Sequence, residues 1–190
     1  MQIGSIKEFQ SKIKRVIITE EEIKSAVKKA GAMINSLYDG KPILLVSILK
    51  GSFVFLADLC KQITVPCEIA FMIAKSYYEG TQSSGIVRIN MDLDHDVSKY
   101  NVIIVEDIVD TGRTLSDVVK LLKSRNPASL RVVTLLDKPD RRITDFKADY
   151  SLFTIPDYFV IGYGLDHGEY YRNLPYIAEY SEVNDDYSPK

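Results

Sequence analysis

Short, mostly apolar runs separated by segments of helical periodicity constrain the fold of this chain more than any other feature. The clearest of these runs are residues 43–49, 101–107 and 129–137. A strand that is apolar at every position is buried on both faces, which is typical of a parallel sheet. Between such runs, apolar residues recur at helical intervals, as they do after Thr19, which stands at capping-box spacing from Glu22. This alternation predicts an α/β fold: a doubly wound, mostly parallel sheet with helices on both faces.

Length and charge limit the number of domains and the classes of partner. The chain of 190 residues suits a single domain, and no repeat or Gly/Ser-rich linker divides it. Its 24 Lys+Arg and 26 Asp+Glu give a formal net charge of −2, which argues against binding of nucleic acid by bulk electrostatics. No apolar run is long enough to cross a bilayer, and the N-terminus lacks the pattern of a secretory signal. We therefore expect a cytoplasmic protein with no nucleic-acid and no membrane partner, in which Cys60 and Cys67 are reduced.

Polar residues follow three of the predicted strands. In doubly wound folds, ligands bind at the carboxyl ends of the strands. The rule selects Lys50 with Gly51, Glu106 with Asp107, and Asp137 with Lys138. Elsewhere, the pattern predicts a helix over residues 52–63, a polar loop over 75–85 and a strand over 86–93. His95 and His167 are expected in solvated loops.

The most specific local signal is the segment VIIVEDIVDTGRTL, residues 102–115. A buried strand delivers two carboxylates to its end, a tight turn follows, and a helix then begins. Backbone N–H groups at a helix N-terminus favour a phosphate, Gly112 lets the backbone curl close to it, and two threonine hydroxyls add donors. The carboxylates could hold sugar hydroxyls or water bound to Mg²⁺. Taken alone, the segment is also compatible with a plain strand-to-helix turn that has Asp110 as an acidic N-cap.

A nucleoside-triphosphatase interpretation fails on the upstream sequence. It requires G-x-x-x-x-G-K-[ST] before the acidic strand. The chain has one Gly-Lys pair, Gly40-Lys41; Pro42 follows it, and Asn35 occupies the position of the first glycine.

The segment 102–115 resembles the motif with which type I phosphoribosyltransferases bind phosphoribosyl diphosphate (PRPP). From about residue 10 to 182, the chain is similar to the hypoxanthine(-guanine) phosphoribosyltransferases of the short bacterial type. The segments that carry the resemblance are residues 48–52, 75–80, 102–115, 135–139 and 156–175. It implies one domain over 1–190, with a core at about 35–155, a small hood formed by the chain ends at about 1–20 and 156–182, and a frayed tail at 183–190.

The activity that the resemblance implies is a step of purine salvage. The phosphoribosyl group of PRPP would pass to N9 of hypoxanthine and of guanine, giving IMP or GMP and pyrophosphate, with Mg²⁺ as cofactor. Asp110 would be the catalytic base, Ser76 and Tyr77 would belong to a lid, and Glu106, Asp107 and Asp166 would hold metal. The residues matched to PRPP binding are Leu49, Lys50, Gly51, Ser76, Tyr77, Glu106, Asp107, Asp110, Thr111, Gly112, Arg113, Thr114 and Arg172. The residues matched to purine binding are Lys138, Phe159, Val160 and Asp166.

Two alternatives remain open from the sequence. One is a phosphoribosyltransferase that prefers xanthine or guanine, because Lys138 reads only the 6-oxo group of the base. The other is a PRPP-sensing regulator that binds nucleic acid. The family also implies a homodimer or homotetramer.

Overall fold

The structure is a computed structural model that describes residues 5–79 and 82–181; for residues 75–79 and 82–87 it describes the backbone alone. The expected frayed tail at 183–190 lies outside the described residues. The helices are α1 (Ile6–Ser11), α2 (Glu20–Tyr38), α3 (Phe53–Cys60) and α4 (Arg113–Lys123). The strands are β1 (Ile13–Ile18), β2 (Ile43–Ile48), β3 (Cys67–Glu79), β4 (Gln82–Met91), β5 (Asn101–Val109), β6 (Ser129–Asp137), β7 (Tyr150–Thr154), β8 (Val160–Ile161) and β9 (Ile177–Tyr180).

The main sheet has six strands in the order β4-β3-β2-β5-β6-β7. All neighbours pair in parallel except β4, which forms an antiparallel hairpin with β3. The chain passes from β2 to β3 on one side and later returns to β5 on the other side of β2. The order of the strands therefore reverses between β2 and β5, and such a switch point leaves a crevice at the carboxyl ends of the two strands.

Helices cover both faces of this sheet, and β2 shows how its apolar sequence makes this possible. Ile43 and Leu45 belong to a core cluster with α2 and α3, whereas Leu44 and Val46 belong to a second cluster with α4. Successive residues of a strand point to opposite faces, so only a continuous apolar run can serve both clusters. The predicted α/β class with a doubly wound sheet is confirmed.

A second, three-stranded antiparallel sheet of order β1-β9-β8 is built from segments near both ends of the chain. We call this sheet, the segment 156–159 that leads into β8 and the loop between β8 and β9 the hood. Helix α1 packs on it through Phe9, whose ring stacks on that of Tyr171 at 4.2 Å. The expected limits of core and hood stay a prediction.

The local expectations differ from the structure in several places. The capping box of Thr19 and Glu22 is confirmed, but the helix expected over 52–63 is shorter, because α3 ends at Cys60. The loop expected over 75–85 is largely strand, because β3 continues to Glu79 and β4 begins at Gln82. The polar composition of this segment favours a loop, but hydrogen bonds between the two strands stabilise it as a hairpin. Residues 80 and 81 lie outside the described residues, and α1 and β1 have no counterpart in the sequence interpretation.

Neither cysteine is in a disulfide: Cys60 and Cys67 are free thiols. Within residues 5–79 and 82–181, no helix combines the length and apolar character needed to cross a bilayer.

Candidate active site

A cavity of about 240 Å³ opens at the switch point between β2 and β5. Its wall is formed mainly by the loop after β2, the last residues of β5 and the turn that leads into α4, with Ala74 of β3 and the first turn of α4 completing it. Nine of the residues that the sequence singled out line it: Leu49, Lys50, Gly51, Glu106, Asp107, Asp110, Thr111, Gly112 and Thr114. These residues are far apart in sequence, and the parallel pairing of β2 with β5 brings them together.

The loop after β2 is fitted closely against its neighbours. The peptide bond between Leu49 and Lys50 is cis. A Cβ added to Gly51 would lie 1.5 Å from Oδ2 of Asp107, and one added to Gly164 would lie 2.0 Å from the carbonyl oxygen of Gly51. The absence of side chains at the two glycines thus lets the loop after β2 contact the Asp107 side chain at the end of β5 and lets the backbone of the hood approach that of the loop.

Two adjacent carboxyl groups, one buried and one partly buried, lie at the end of β5. Glu106 is buried, and its Oε2 has no hydrogen-bond partner among the described residues. Burial, and secondarily the nearby Asp107, raises the pKa of Glu106 well above its ordinary value. Burial also raises the pKa of Asp107 to about 6, against the opposing effect of a hydrogen bond from the backbone N–H of Ile108. Perturbed carboxyl groups lining a cleft are typical of functional sites.

The turn into α4 has a glycine at positive φ directly before the first residue of the helix. Gly112, and not Asp110, is the N-cap of α4 and has φ of 82°, so the alternative of a plain turn with Asp110 as its acidic N-cap is excluded. A Cβ on Gly112 would lie 2.5 Å from Oγ1 of Thr144, which packs against the turn from outside. The N–H of Ile143 also donates to the carbonyl oxygen of Thr111 at 3.2 Å. The segment after β6 therefore braces the outer side of this turn.

Asp110 is linked to the next part of the site by charged side chains that the sequence did not single out. Nε of Arg141 lies 3.1 Å from Oδ1 of Asp110, and Nη1 of Arg141 lies 3.5 Å from Oδ2 of Asp157. Asp157 also lies 3.6 Å from Nζ of Lys138. The expected catalytic base and the expected base-reading lysine thus belong to one network.

Lys138 is buried and directed towards the hood. Its Nζ donates to the carbonyl oxygen of Tyr158 at 2.5 Å, and the guanidinium of Arg15 from β1 lies 5.0 Å from the Tyr158 ring centre. The neighbouring Phe159 is 53% exposed, as a ring available for stacking must be. Val160 is buried in β8.

His167 supports the exposed ring of Phe159. The two ring centres are 5.3 Å apart, and His167 lies 4.3 Å from the ring centre of Tyr180. The expectation of solvated histidines is therefore wrong here, because the turn after β8 folds back over β9. It is wrong for His95 as well, whose side chain is only 24% exposed and lies beside Asp94 and Glu68.

The turn of the hood between β8 and β9 holds a cluster of charges beside the loop after β2. Nη2 of Arg172 lies 2.8 Å from Oδ1 of Asp166, and Nη1 of Arg172 donates to the carbonyl oxygen of Gly164 at 2.8 Å. Glu169 lies between Arg172 and Lys50, at 3.4 Å and 3.0 Å. Arg172 lowers and Asp166 raises the pKa of Asp107, so this cluster is electrostatically coupled to the cavity.

Not every expected residue lies at the cavity. Arg113 is in the first turn of α4 and does not line it. Ser76 and Tyr77 lie in β3, and their side chains are outside the described part of the chain. Arg141, Asp157 and Glu169 were missed, although Arg141 belongs to the polar stretch after Lys138 and Glu169 to the segment 156–175. Their chemical types were visible, but their partners come from remote parts of the chain.

We expect Gly164→Ala to lower the free energy of unfolding by about 3 kcal/mol or more. Two costs add up: the strain of a residue with a side chain at positive φ, and the steric clash of its Cβ with neighbouring atoms. Gly164 has φ of 102°, and the added Cβ would meet backbone of Gly51, which cannot rotate away. Gly40→Ala is the control, since Gly40 has φ of 79° and no atom within 4 Å of an added Cβ. Its cost should be only about 1 kcal/mol. Urea unfolding of both variants measures the difference; equal costs would contradict the packing argument.

Asp107 should make the stability of the ligand-free protein depend on pH. Its pKa of about 6 in the folded chain exceeds the value of about 3.9 expected after unfolding, so the folded chain binds this proton more tightly. Its contribution to stability is therefore fully present below about pH 4 and is lost as the pH rises through about 6. Asp107→Asn removes this loss. We expect the variant's stability relative to the original chain to rise between about pH 4 and 6 in urea titrations with EDTA; a pH-independent difference would contradict this.

Comparison with known proteins identifies the class to which this fold and site belong. The sequence profile of the phosphoribosyl transferase domain matches residues 17–167, and the chain belongs to this family. It is 47% identical over 174 residues to the hypoxanthine-guanine phosphoribosyltransferase of Streptococcus pneumoniae, covering 92% of this chain and 97% of that protein. It is 50% identical over 166 residues to the enzyme of the same name from Staphylococcus aureus strain Mu50, covering 87% and 93%. A crystal structure of a hypoxanthine phosphoribosyltransferase from Staphylococcus aureus superposes with a TM-score of 0.88 at 46% identity, covering 95% of this chain and 97% of the other. The resemblance inferred from the motifs is confirmed, and the protein is an enzyme.

Proposed function

We propose that this enzyme transfers the 5-phosphoribosyl group of PRPP to N9 of hypoxanthine and of guanine, releasing pyrophosphate. One observation carries the proposal: the glycine-containing turn 110–114, the buried Glu106 and the partly buried Asp107 share a single cavity, and the buried Lys138 follows the next strand. The names of the similar proteins agree with this activity. IMP and GMP are then the products, and the enzyme serves purine salvage.

The turn 110–114 is proposed to hold the 5′-phosphate of PRPP. The N-terminus of α4 begins at its end, and partial positive charge there favours an anion. Hydroxyl groups of Thr111 and Thr114 add donors at the same cavity wall. Glu106 and Asp107 would then accept hydrogen bonds from the ribose hydroxyls.

The chemistry of the donors fits Mg²⁺. Mg²⁺ is usually bound through one or two carboxylates together with substrate phosphates and water, rather than by an all-protein cage. Glu106 has a buried oxygen without a partner, and no cluster of three or more His, Cys, Asp or Glu suited to a metal occurs among residues 5–79 and 82–181. We propose that Glu106 and Asp107 hold one ion and Asp166 a second. When bound, the ion neutralises charge on the departing diphosphate.

The bond between the anomeric carbon and the diphosphate breaks as N9 of the purine attacks. Positive charge develops on the ribose, and the carboxylates beside it stabilise this charge. Asp110 is proposed to accept or share the proton on N7 of the purine. The ammonium of Lys138 donates to O6, and the ring of Phe159 stacks on the base, an interaction worth about 1–3 kcal/mol in single-strand binding.

Lys138 supplies the selectivity of the proposed site. Adenine carries an amino group at C6, so a lysine there would meet it donor to donor and leave both groups unsatisfied. We propose that Val160 contacts the base through its backbone. Ser76 and Tyr77 are proposed to close as a lid that excludes water, which would hydrolyse a reactive ribose cation.

The test is to offer PRPP and Mg²⁺ with each purine base separately and to measure mononucleotide formation. Hypoxanthine and guanine should both react, and adenine should not. A strong preference for xanthine or guanine would favour the alternative enzyme, whereas activity with adenine alone would overturn the proposal. Complete absence of transfer, together with RNA or DNA binding at physiological salt, would instead favour a PRPP-sensing regulator. A cytoplasmic homodimer or homotetramer stays a prediction.

A further inference from the structure

Glu169 contacts Lys50 and Arg172, two cations that the resemblance to the family matches to PRPP binding. Its Oε2 lies 3.0 Å from Nζ of Lys50 and 3.4 Å from Nη2 of Arg172. Lys50 comes from the loop after β2 and Arg172 from the hood, so one carboxylate oxygen joins the two parts of the site. No role for Glu169 follows from its position in the sequence.

The backbone of the hood holds Glu169 at this point. Its N–H donates to Oδ2 of Asp166 at 2.8 Å, and Oδ1 of Asp166 pairs with Arg172. The φ of Glu169 is 72°, in a region that residues other than glycine rarely adopt. The side chain is 64% exposed, as is that of Lys50, so solvent and ligands can reach the pair. The hydrogen bond from Lys50 lowers the pKa of Glu169, in agreement with a carboxylate that is ionised at neutral pH.

We propose that Glu169 is an internal competitor of the diphosphate: its carboxylate occupies Lys50 and Arg172 until PRPP or pyrophosphate displaces it. The inference rests on the proposed function and takes Lys50 and Arg172, which the resemblance matches to PRPP binding, as the groups that bind the diphosphate of PRPP. Glu169 does not touch the reacting atoms. It is a positioning residue that acts through Lys50 and Arg172.

Competition of this kind weakens diphosphate binding on both sides of the reaction. A ligand must separate Glu169 from its partners and then lies beside a displaced negative charge. Exposed ion pairs contribute little to the free energy of unfolding, so we expect the charge of Glu169 to change ligand affinity more than stability. Weaker binding of pyrophosphate speeds its release after transfer, because affinity differences between related complexes lie mostly in the dissociation rate.

Glu169→Gln separates this role from a structural one, because it removes the charge and keeps the size of the side chain. Titration calorimetry with magnesium pyrophosphate, without any purine, should give a Kd that is about 3- to 10-fold lower than for the original chain. The gain should shrink as salt rises, since the competing charge is exposed. Glu169→Asp, which keeps the charge, should not show the gain.

Glu20→Gln is the matched control, with the same change of net charge at another exposed ion pair. Glu20 is in the first turn of α2 and pairs with Lys24 at 2.5 Å. The Kd of the Glu20→Gln variant for magnesium pyrophosphate should equal that of the original chain. An equally lower Kd in both variants would attribute the effect to net charge and overturn the proposal. Unchanged or weaker binding by Glu169→Gln would overturn it as well.

The two proposals can fail separately in these measurements. If the original chain transfers the phosphoribosyl group but Glu169→Gln binds pyrophosphate no tighter, only the role of Glu169 fails. If the chain binds pyrophosphate and Glu169→Gln binds it more tightly, but no purine is converted, the proposed function fails and the competitor remains. Absence of pyrophosphate binding in both proteins would overturn both.

Discussion

Asp110→Asn should lower kcat about 10²- to 10⁴-fold, the contribution typical of a positioned general base. PRPP affinity should change little, because an amide still fits the cavity wall and the turn 110–114 keeps its backbone. The side chain of Asp110 is 41% exposed, so its loss should not unfold the protein. Initial rates at saturating PRPP and hypoxanthine, together with PRPP titration by calorimetry, measure the two quantities.

Arg141→Gln is the control for this experiment. Asp110→Asn also weakens the contact of 3.1 Å with Nε of Arg141, and a loss of turnover could follow from that change alone. Arg141→Gln removes the same ion pair and leaves the carboxylate, so it should keep most of the turnover. Equal losses in the two variants would assign the effect to the ion pair, and full turnover by Asp110→Asn would remove the catalytic role of Asp110.

Lys138→Met should lower kcat/KM for hypoxanthine about 10- to 150-fold, which is the range expected for one lost hydrogen bond from a charged donor. Methionine fills a similar volume but cannot donate to O6 of the base. PRPP affinity should be unchanged, because the nearest contacts of Lys138 are Tyr158 and Asp157 rather than the turn 110–114. Rates with hypoxanthine, guanine and adenine give the selectivity directly: the two 6-oxopurines should lose activity while adenine loses none.

Lys147→Met controls for the loss of a positive charge, because Lys147 is exposed and outside the cavity wall. It should leave all rates unchanged. Since Lys138 is buried, circular dichroism and urea unfolding must accompany its variant. A folded Lys138→Met protein with undiminished activity towards hypoxanthine would show that another group reads the base.

Much of the fold could be predicted because its apolar pattern requires strands that are buried on both faces. The run 43–48 is apolar apart from Ser47, and every residue of β2 is buried, so the strand had to lie between two layers of helices. The capping box at Thr19 likewise acts over three residues, within reach of local reasoning. By contrast, the loop expected at residues 75–85 is mostly the β3-β4 hairpin, because cross-strand pairing is not encoded in the composition of either strand alone.

The site divides in the same way. The turn 110–114 carries its own geometry in Gly112 and the threonines that flank it, so its role could be inferred from one continuous segment. Arg141 could not, because its partner Asp110 is 31 residues away. Glu169 could not either, since its contact with Lys50 spans 119 residues.

The sequence by itself determined the α/β class, the position of the glycine-containing turn 110–114 and the chemical types of the residues around it. Each of these depends on interactions within one strand, one turn or one helix end, where spacing along the chain is also distance in space. Only the tertiary structure decided that Gly164 lies against Gly51, that Lys138 reaches the carbonyl oxygen of Tyr158, and that Glu169 holds Lys50. These contacts join the hood to the main sheet. Their distances follow from how the two sheets pack, which no local pattern specifies.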